Sequence, residues 1–192
     1  AKPSDKKIGG AFYSRFIEFK MPRVFSSYMG TITTVLQQGH ELGHAFHYWV
    51  MRDLPVVQTE FPMTLTETAS TFNEAIIRRY LLERADEREA FGMLWQELRS
   101  AANFLMNTMV RMDFELAFLE ERKKGVVSAK RAVELMRQAW HEWYGDSTTG
   151  ADDYLWAYKL HYYKTDQLIY NYPYTVGYVL SRGLLPALAR RG

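Results

Sequence analysis

The chain has 192 residues, of which 47% are hydrophobic and 15% aromatic, and it contains no cysteine. This composition is typical of one globular domain with a sizeable core, and it excludes disulfides, thiolate metal sites and cysteine nucleophiles. The formal net charge of +2 is too balanced to indicate a nucleic-acid or membrane-surface protein. No apolar run approaches the roughly 18 residues of a membrane span. We therefore expect no nucleic-acid or membrane partner, with the cytoplasm as the default location.

The first 30 residues predict a short β element. Residues 1–10 are polar and end in Gly9 and Gly10, which indicates a flexible entry. Residues 11–19 and 23–29 are short, aromatic or β-branched, and a Lys-Met-Pro segment separates them. This pattern predicts a small pair of strands.

The remaining sequence predicts a series of helices. Apolar residues recur every three or four positions between 91 and 119, and a basic turn and Gly125 follow, which predicts one long amphipathic helix. Helix-start and helix-stop residues delimit the others. The predicted helices cover residues 31–51, 63–85, 91–124, 128–144, 152–163 and 174–185. We therefore expect a mainly α, multi-helix domain with a minor β element near its N-terminal end.

The first predicted helix carries an H-E-x-x-H motif formed by His40, Glu41 and His44. On a helix the two histidines lie one turn apart and about 40° around the axis, so both can bind one metal ion. Neutral imidazoles suit Zn²⁺, and the adjacent glutamate can take a proton from the attacking water. The alternative is a pair of histidines with no metal, in the core or on the surface.

The next predicted helix supplies a candidate third ligand. Glu67 lies on this separate helix, as in the two-His-one-Glu class of zinc sites. Glu74 lies two turns further on the same face and could accept a hydrogen bond from a ligand histidine. Glu60 is a rival third ligand in the preceding loop, and a solvated face is the alternative interpretation of Glu67 and Glu74.

Two other metal-site classes disagree with the sequence. The metzincin pattern requires a third histidine at a position that Val50 occupies here. A di-iron bundle requires a second E-x-x-H pair, and no glutamate other than Glu41 has a histidine three residues later.

These motifs resemble those of the thimet oligopeptidase and oligoendopeptidase F family of zinc peptidases. Residues 40–47 match the family pattern H-E-x-G-H-x-x-H, and residues 67–74 match the stretch in which the zinc glutamate leads into A-S-T-F-N-E. The second match favours the oligoendopeptidase F branch. The resemblance implies a gluzincin-type catalytic domain, with His40, His44 and Glu67 as zinc ligands and Glu41 as the general base. His47 is expected to pack or hydrogen-bond near the ligands.

The resemblance extends toward both ends of the chain. The family has a histidine and tyrosines that face the scissile bond, and here His161, Tyr170, Tyr172 and Tyr174 resemble them. The resemblance implies that His161 and either Tyr172 or Tyr174 stabilise the oxyanion, with Tyr170 beside the substrate. Gly9 and Gly10 resemble a glycine-containing edge that pairs with substrate backbone, a form of β-augmentation.

We therefore expect a zinc metalloendopeptidase that hydrolyses short oligopeptides and binds one Zn²⁺ per chain. Because family members are considerably longer and the chain begins at Ala1, residues 1–192 are expected to form a single catalytic domain from a longer protein. A gluzincin-type carboxypeptidase and a truncated module that binds zinc and peptide without turnover remain alternatives. The sequence leaves the oligomeric state open.

Overall fold

A computed structural model describes residues 10–165 and 167–189 of the chain. These residues form two compact units. The first unit comprises the described residues of Ala1–Gln96 and Val176–Gly192, and the second unit comprises those of Glu97–Thr175.

The first unit begins with an antiparallel hairpin of β1 (Ala11–Phe16) and β2 (Met21–Ser26). The register runs from the Ala11–Ser26 pair to the Phe16–Met21 pair. Lys20 completes the turn with a φ of 47° and donates its backbone N–H to the Ile17 carbonyl. The predicted pair of strands is confirmed, although both strands end earlier than predicted.

Two helices follow the hairpin. Helix α1 (Ile32–Met51) is capped by the Thr31 hydroxyl, which accepts a hydrogen bond from the Thr34 backbone N–H. Helix α2 spans Thr68–Leu82. The prediction of one helix from residue 63 to residue 85 is wrong at its start, because Met63–Leu65 forms a separate 3₁₀ turn.

Helices α1 and α2 approach closely where α1 has glycines. A Cβ atom at Gly43 would lie 2.7 Å from the Ala69 carbonyl oxygen and from the Ser70 Cα. One turn earlier, the Gly39 carbonyl accepts a 2.6 Å hydrogen bond from the Asn73 amide. The two helices can therefore lie this close only because position 43 is a glycine and has no side chain.

The chain continues into helix α3 (Glu87–Ala102), a π-helical segment (Asn103–Asn107), α4 (Thr108–Lys124) and α5 (Ala129–Tyr144). Seven residues form the buried hydrophobic core of the second unit: Val110, Phe114, Ala132, Leu135, Met136, Ala139 and Leu155.

The π-helical segment shifts the buried face of the predicted long helix. The predicted apolar series passes through Leu105, Met112 and Leu116, but α4 buries Val110 and Phe114 instead. One wide turn adds a residue and rotates the helix faces that follow it, and the buried Val110 and Phe114 then lie four positions apart. The long helix exists as predicted, but its predicted apolar face is wrong on both sides of the π-helical segment. In α3 the predicted face residues Phe91, Leu94 and Leu98 are exposed, and Met93 is buried instead.

The C-terminal part contains α6 (Leu155–Tyr158), a 3₁₀ turn (Leu160–Tyr163) and α7 (Tyr172–Ala189). The predicted helix over residues 152–163 is wrong, because only four of its residues are α-helical. The predicted helix 174–185 is present and longer at both ends. Across residues 10–165 and 167–189, none of the helices combines the length and apolar character that a membrane span requires.

Candidate active site

The first unit brings three potential metal ligands together. His40 and His44 lie one turn apart on α1, and Glu67 directly precedes α2. The Glu67 Oε2 atom lies 3.0 Å from His40 Nε2 and 3.4 Å from His44 Nε2. One ligand atom from each residue falls within 4.8 Å of the other two.

This geometry fits a tetrahedral zinc ion. Donor atoms about 2.1 Å from such an ion lie about 3.4 Å from one another. The two measured nitrogen–oxygen separations, 3.0 and 3.4 Å, are close to that value. Two imidazoles and one carboxylate are also ligands that zinc prefers, and they leave a fourth position open.

Glu74 orients the first histidine. The Oε1 atom of Glu74 lies 2.6 Å from His40 Nδ1, so this carboxylate accepts the Nδ1–H hydrogen bond and Nε2 faces Glu67. A carboxylate behind a ligand imidazole fixes the ring orientation and makes the ligand nitrogen more basic. The structure thus brings Glu74 to the histidine, as the spacing on α2 predicts.

The electrostatics of the three ligands favour a positive charge among them. Burial opposes the charged form of His40, but hydrogen bonds to Glu67 and Glu74 outweigh it and raise the His40 pKa to about 10. Burial likewise opposes ionisation of Glu67, but hydrogen bonds from both histidines hold its pKa well below the usual range. A divalent cation satisfies the same preference.

Neighbouring hydroxyls and a glycine hold Glu67 in place. The Ser70 hydroxyl lies 2.9 Å from the Glu67 carbonyl oxygen and 3.1 Å from Oε2, and the Thr71 hydroxyl donates to the same carbonyl at 2.6 Å. A Cβ atom at Gly177 would lie 2.7 Å from the Glu67 carbonyl group. Sequence reasoning missed these supports, although Ser70 and Thr71 lie within the matched A-S-T-F-N-E stretch.

Glu41 lies beside the ligands and is buried, with 8% of its surface exposed. Burial raises the pKa of its carboxyl group, His40 and His44 lower it, and a backbone hydrogen bond from Tyr13 lowers it further. The Tyr13 ring also stacks on His44, with the ring centroids 5.8 Å apart. Sequence reasoning missed Tyr13, because a hairpin side chain gives no sign of contacting a helix.

Three other predicted residues lie in the first unit outside the ligand cluster. His47 stacks on Phe61 with a centroid separation of 4.6 Å. The rival ligand Glu60 pairs with Arg15 instead of joining the histidines. Gly10 is exposed, has a φ of 104° and accepts a hydrogen bond from the Ser27 backbone N–H. Gly9 lies outside the described residues.

The second unit contains an aromatic cluster around His161. Its ring is parallel to Tyr174 at 6.0 Å and meets the edge of Tyr170 at 5.6 Å. Phe104 from the π-helical segment stacks on Tyr174 at 6.2 Å. The structure therefore brings His161, Tyr170 and Tyr174 together, whereas Tyr172 is the first residue of α7.

A buried polar network lies behind this cluster. Asn171 is fully buried, and its side chain lies 3.2 Å from His161 Nδ1, 3.1 Å from Arg111 Nη1 and 3.4 Å from Glu115 Oε2. Arg111 also donates to the Thr108 hydroxyl at 2.8 Å. Sequence reasoning missed this network, because an arginine and a glutamate four residues apart on a helix resemble a solvated pair.

Comparison with known proteins agrees with this arrangement of residues. The model of peptidase family M3 matches residues 3–184. Chromosomal oligoendopeptidase F of Lactococcus lactis subsp. cremoris is 28% identical over 157 residues, which cover 79% of this chain and 26% of that protein. The plasmid-encoded oligoendopeptidase F of the same organism is 29% identical over 144 residues, covering 72% of this chain and 24% of that protein.

Oligopeptidase PepF of Bacillus subtilis (strain 168) is 22% identical over 182 residues, covering 89% of this chain and 26% of that protein. The chain thus spans about a quarter of the length of the curated relatives it matches. No solved structure matches it significantly. These matches confirm the resemblance to oligoendopeptidase F, and the chain belongs to peptidase family M3.

Proposed function

We propose that this chain carries the zinc-dependent catalytic centre of an endopeptidase that hydrolyses short oligopeptides, with one Zn²⁺ per chain. The observation that carries the proposal is the convergence of His40, His44 and Glu67, whose ligand atoms lie within 4.8 Å of one another. Membership of peptidase family M3 supports peptide-bond hydrolysis as the reaction. The curated relatives named oligoendopeptidase F support internal cleavage of oligopeptides.

In this proposal His40 Nε2, His44 Nε2 and Glu67 Oε2 hold the metal ion. When bound, Zn²⁺ supplies the Lewis acidity that makes water nucleophilic near neutral pH and polarises the substrate carbonyl. Glu74 keeps His40 Nε2 directed at the site through its 2.6 Å contact with Nδ1.

Glu41 is the proposed general base. Its burial raises the carboxyl pKa, which makes it a better proton acceptor than an exposed glutamate. It takes a proton from the attacking water and passes that proton to the departing amine nitrogen. The backbone hydrogen bond from Tyr13 holds the carboxylate in position while the proton moves.

The tyrosines after His161 are the proposed oxyanion donors. By the family resemblance, the hydroxyl of Tyr172 or Tyr174 donates a hydrogen bond to the negative oxygen that forms during attack. One well-placed donor of this kind contributes about 3–4 kcal/mol of transition-state stabilisation.

Metal content and peptide cleavage test the proposal together. The 192-residue chain is purified in the presence of zinc, and its zinc is counted before and after chelation. A quenched fluorescent peptide with a blocked C-terminus is the substrate, since an endopeptidase cleaves it and a carboxypeptidase does not. We expect one zinc per chain and cleavage that chelator abolishes and zinc restores.

Three variants separate the roles. Glu41→Gln is expected to keep zinc and lose at least 100-fold in kcat, because only the proton acceptor is removed. Glu67→Gln is expected to lose zinc affinity. Glu60→Gln, an exposed glutamate paired with Arg15, is the matched control and leaves both unchanged. If Glu60→Gln loses zinc while Glu67→Gln retains it, the ligand assignment is wrong.

Three outcomes would change the functional conclusion. A chain that binds zinc and peptide but never cleaves would be a binding module, the alternative that sequence reasoning retains. A chain that removes C-terminal residues from free peptides and ignores blocked ones would be a carboxypeptidase. A chain without zinc after purification in zinc would refute the metal centre itself.

A further inference from the structure

The amide of Asn171 is held in one orientation by groups of opposite character. Arg111 Nη1, which can only donate, lies 3.1 Å from Asn171 Oδ1. Glu115 Oε2, which accepts, lies 3.4 Å from Asn171 Nδ2. Arg111 and Glu115 are one turn apart on α4, so the helix itself spaces the two groups that clamp the amide. The oxygen end of Asn171 therefore faces Arg111 and the nitrogen end faces Glu115.

The clamp is tied to the local backbone at both of its ends. The Arg111 guanidinium donates from Nε to the Asn107 carbonyl oxygen at 3.3 Å and from Nη2 to the Thr108 hydroxyl at 2.8 Å. Glu115 Oε1 accepts the backbone N–H of Ile169 at 2.8 Å, and Ile169 has a φ of 59°, a conformation that β-branched residues rarely adopt. The carboxylate thus stabilises the turn that presents Asn171.

The fixed amide determines which nitrogen of His161 carries hydrogen. His161 Nδ1 lies 3.2 Å from Asn171 Oδ1, and an amide oxygen can only accept. The Nδ1 atom must therefore be the donor. In a neutral imidazole the other nitrogen, Nε2, then carries a lone pair and accepts hydrogen bonds.

The charges around His161 favour its neutral form. Burial lowers the pKa of His161, and the Asn171 hydrogen bond raises it by a smaller amount. Three nearby cations, on Lys159, Arg111 and Lys164, lower it further. Tyr170 and Tyr174 pack their aromatic rings against His161 in the same cluster.

We propose that Asn171 is a positioning residue that holds neutral His161 with hydrogen on Nδ1, so that Nε2 accepts a hydrogen bond from a backbone N–H of the peptide substrate. This role differs from the sequence expectation, in which His161 donates to the oxyanion. A lone pair repels a negative oxygen and attracts an amide hydrogen, so this tautomer suits peptide binding and not oxyanion stabilisation. The contact with substrate rests on the proposed function, whereas the tautomer of His161 rests on the hydrogen bonds of Asn171.

Nitrogen-15 NMR of the 192-residue chain tests the tautomer directly. The chain has five histidines, and the His161 ring signals are assigned by their loss in His161→Gln. In slightly alkaline buffer we expect a protonated Nδ1 and an unprotonated Nε2, with exposed His141 as the internal reference. The opposite tautomer, or a doubly protonated ring, in the wild-type chain would overturn the proposal without any variant.

A variant pair tests the role of Asn171. Asn171→Ala removes the acceptor oxygen, and we expect the Nδ1 and Nε2 shifts of His161 to move toward those of His141. Asn73→Ala is the matched control. It removes a partly buried side-chain amide from the first unit and leaves the His161 shifts unchanged. Unchanged His161 shifts in folded Asn171→Ala would refute Asn171 as the positioning residue.

Substrate analogues test the acceptor role. Esters replace single amide groups next to, but not at, the scissile bond, so each removes one N–H. At one position we expect kcat/KM to fall about 10-fold with the wild-type chain and to change little with His161→Phe. Equal sensitivity of both proteins at every position would refute the acceptor role. A chain that cleaves no peptide would instead refute the proposed function, and the tautomer measurement would still decide the assignment of His161.

Discussion

The close approach of the α2 backbone to Gly43 makes this position sensitive to substitution near the candidate metal centre. A Cβ atom added there would lie 2.7 Å from the Ala69 carbonyl oxygen and the Ser70 Cα, which are both backbone atoms of α2. Neither atom can rotate away. Gly43→Ala therefore forces the start of α2 to move away from α1.

The size of the movement follows from the contact distances. Reaching an ordinary contact of 3.4 Å requires a shift of about 0.7 Å. Metal–ligand distances tolerate only about 0.2 Å, and Glu67 directly precedes the displaced residues. Overpacking costs about 1–3 kcal/mol, and the better helix propensity of alanine returns about 1 kcal/mol. We expect a modest loss of stability and a loss of zinc affinity of at least 10-fold.

Gly39→Ala is the matched control, one turn earlier on the same helix. Its added Cβ atom would meet Ile77 Cδ1 at 2.4 Å, which is the end of a flexible side chain that can change rotamer. Zinc affinity is measured by competition with a chromophoric chelator, and stability by urea unfolding of the metal-free chain. If Gly43→Ala binds zinc as tightly as Gly39→Ala, the ligand spacing does not depend on the approach of the two backbones.

Two further predictions follow from the first unit. Glu74→Ala is expected to weaken zinc binding about 10–100-fold, since His40 loses its orienting partner; unchanged affinity in the chelator competition would remove Glu74 from the site. Lys20→Gly is expected to be about 1 kcal/mol more stable than Lys20→Ala in urea unfolding, because both lose the contact with Asp53 but only glycine relieves the φ of 47°. Equal stability of these two variants would contradict backbone strain at the turn.

Much of the candidate metal centre was accessible from the sequence, because it depends on local spacing. The pair His40 and His44 needs only a helix, and the separation of Glu67 and Glu74 needs only a second one. What the sequence did not reveal is how the two helices meet. The contact of Tyr13 with His44 and the close approach of Gly177 to Glu67 join segments that are distant along the chain. Neither contact leaves a periodic pattern in the sequence.

The predicted helix boundaries are wrong where another local conformation competes with the α-helix. Pro62 favours a helix start at residue 63, but the chain first forms a 3₁₀ turn and α2 begins only at Thr68. Periodicity also could not detect the π-helical segment Asn103–Asn107, since a single wide turn adds only one residue to a pattern of three- and four-residue steps. Arg111 and Glu115, which contact Asn171, lie on the helix that follows this segment.

The three proposed ligands come from two separate segments, and this links metal binding to tertiary structure. The α1 helix alone offers two ligands, and the third exists only when the start of α2 is docked against it. Zinc held in this way would act as a reversible cross-link between the two helices. At free zinc about 1,000-fold above its dissociation constant, the docked state would gain about 4 kcal/mol. Zinc supply would then set how much of the chain is folded as well as how much of it is active.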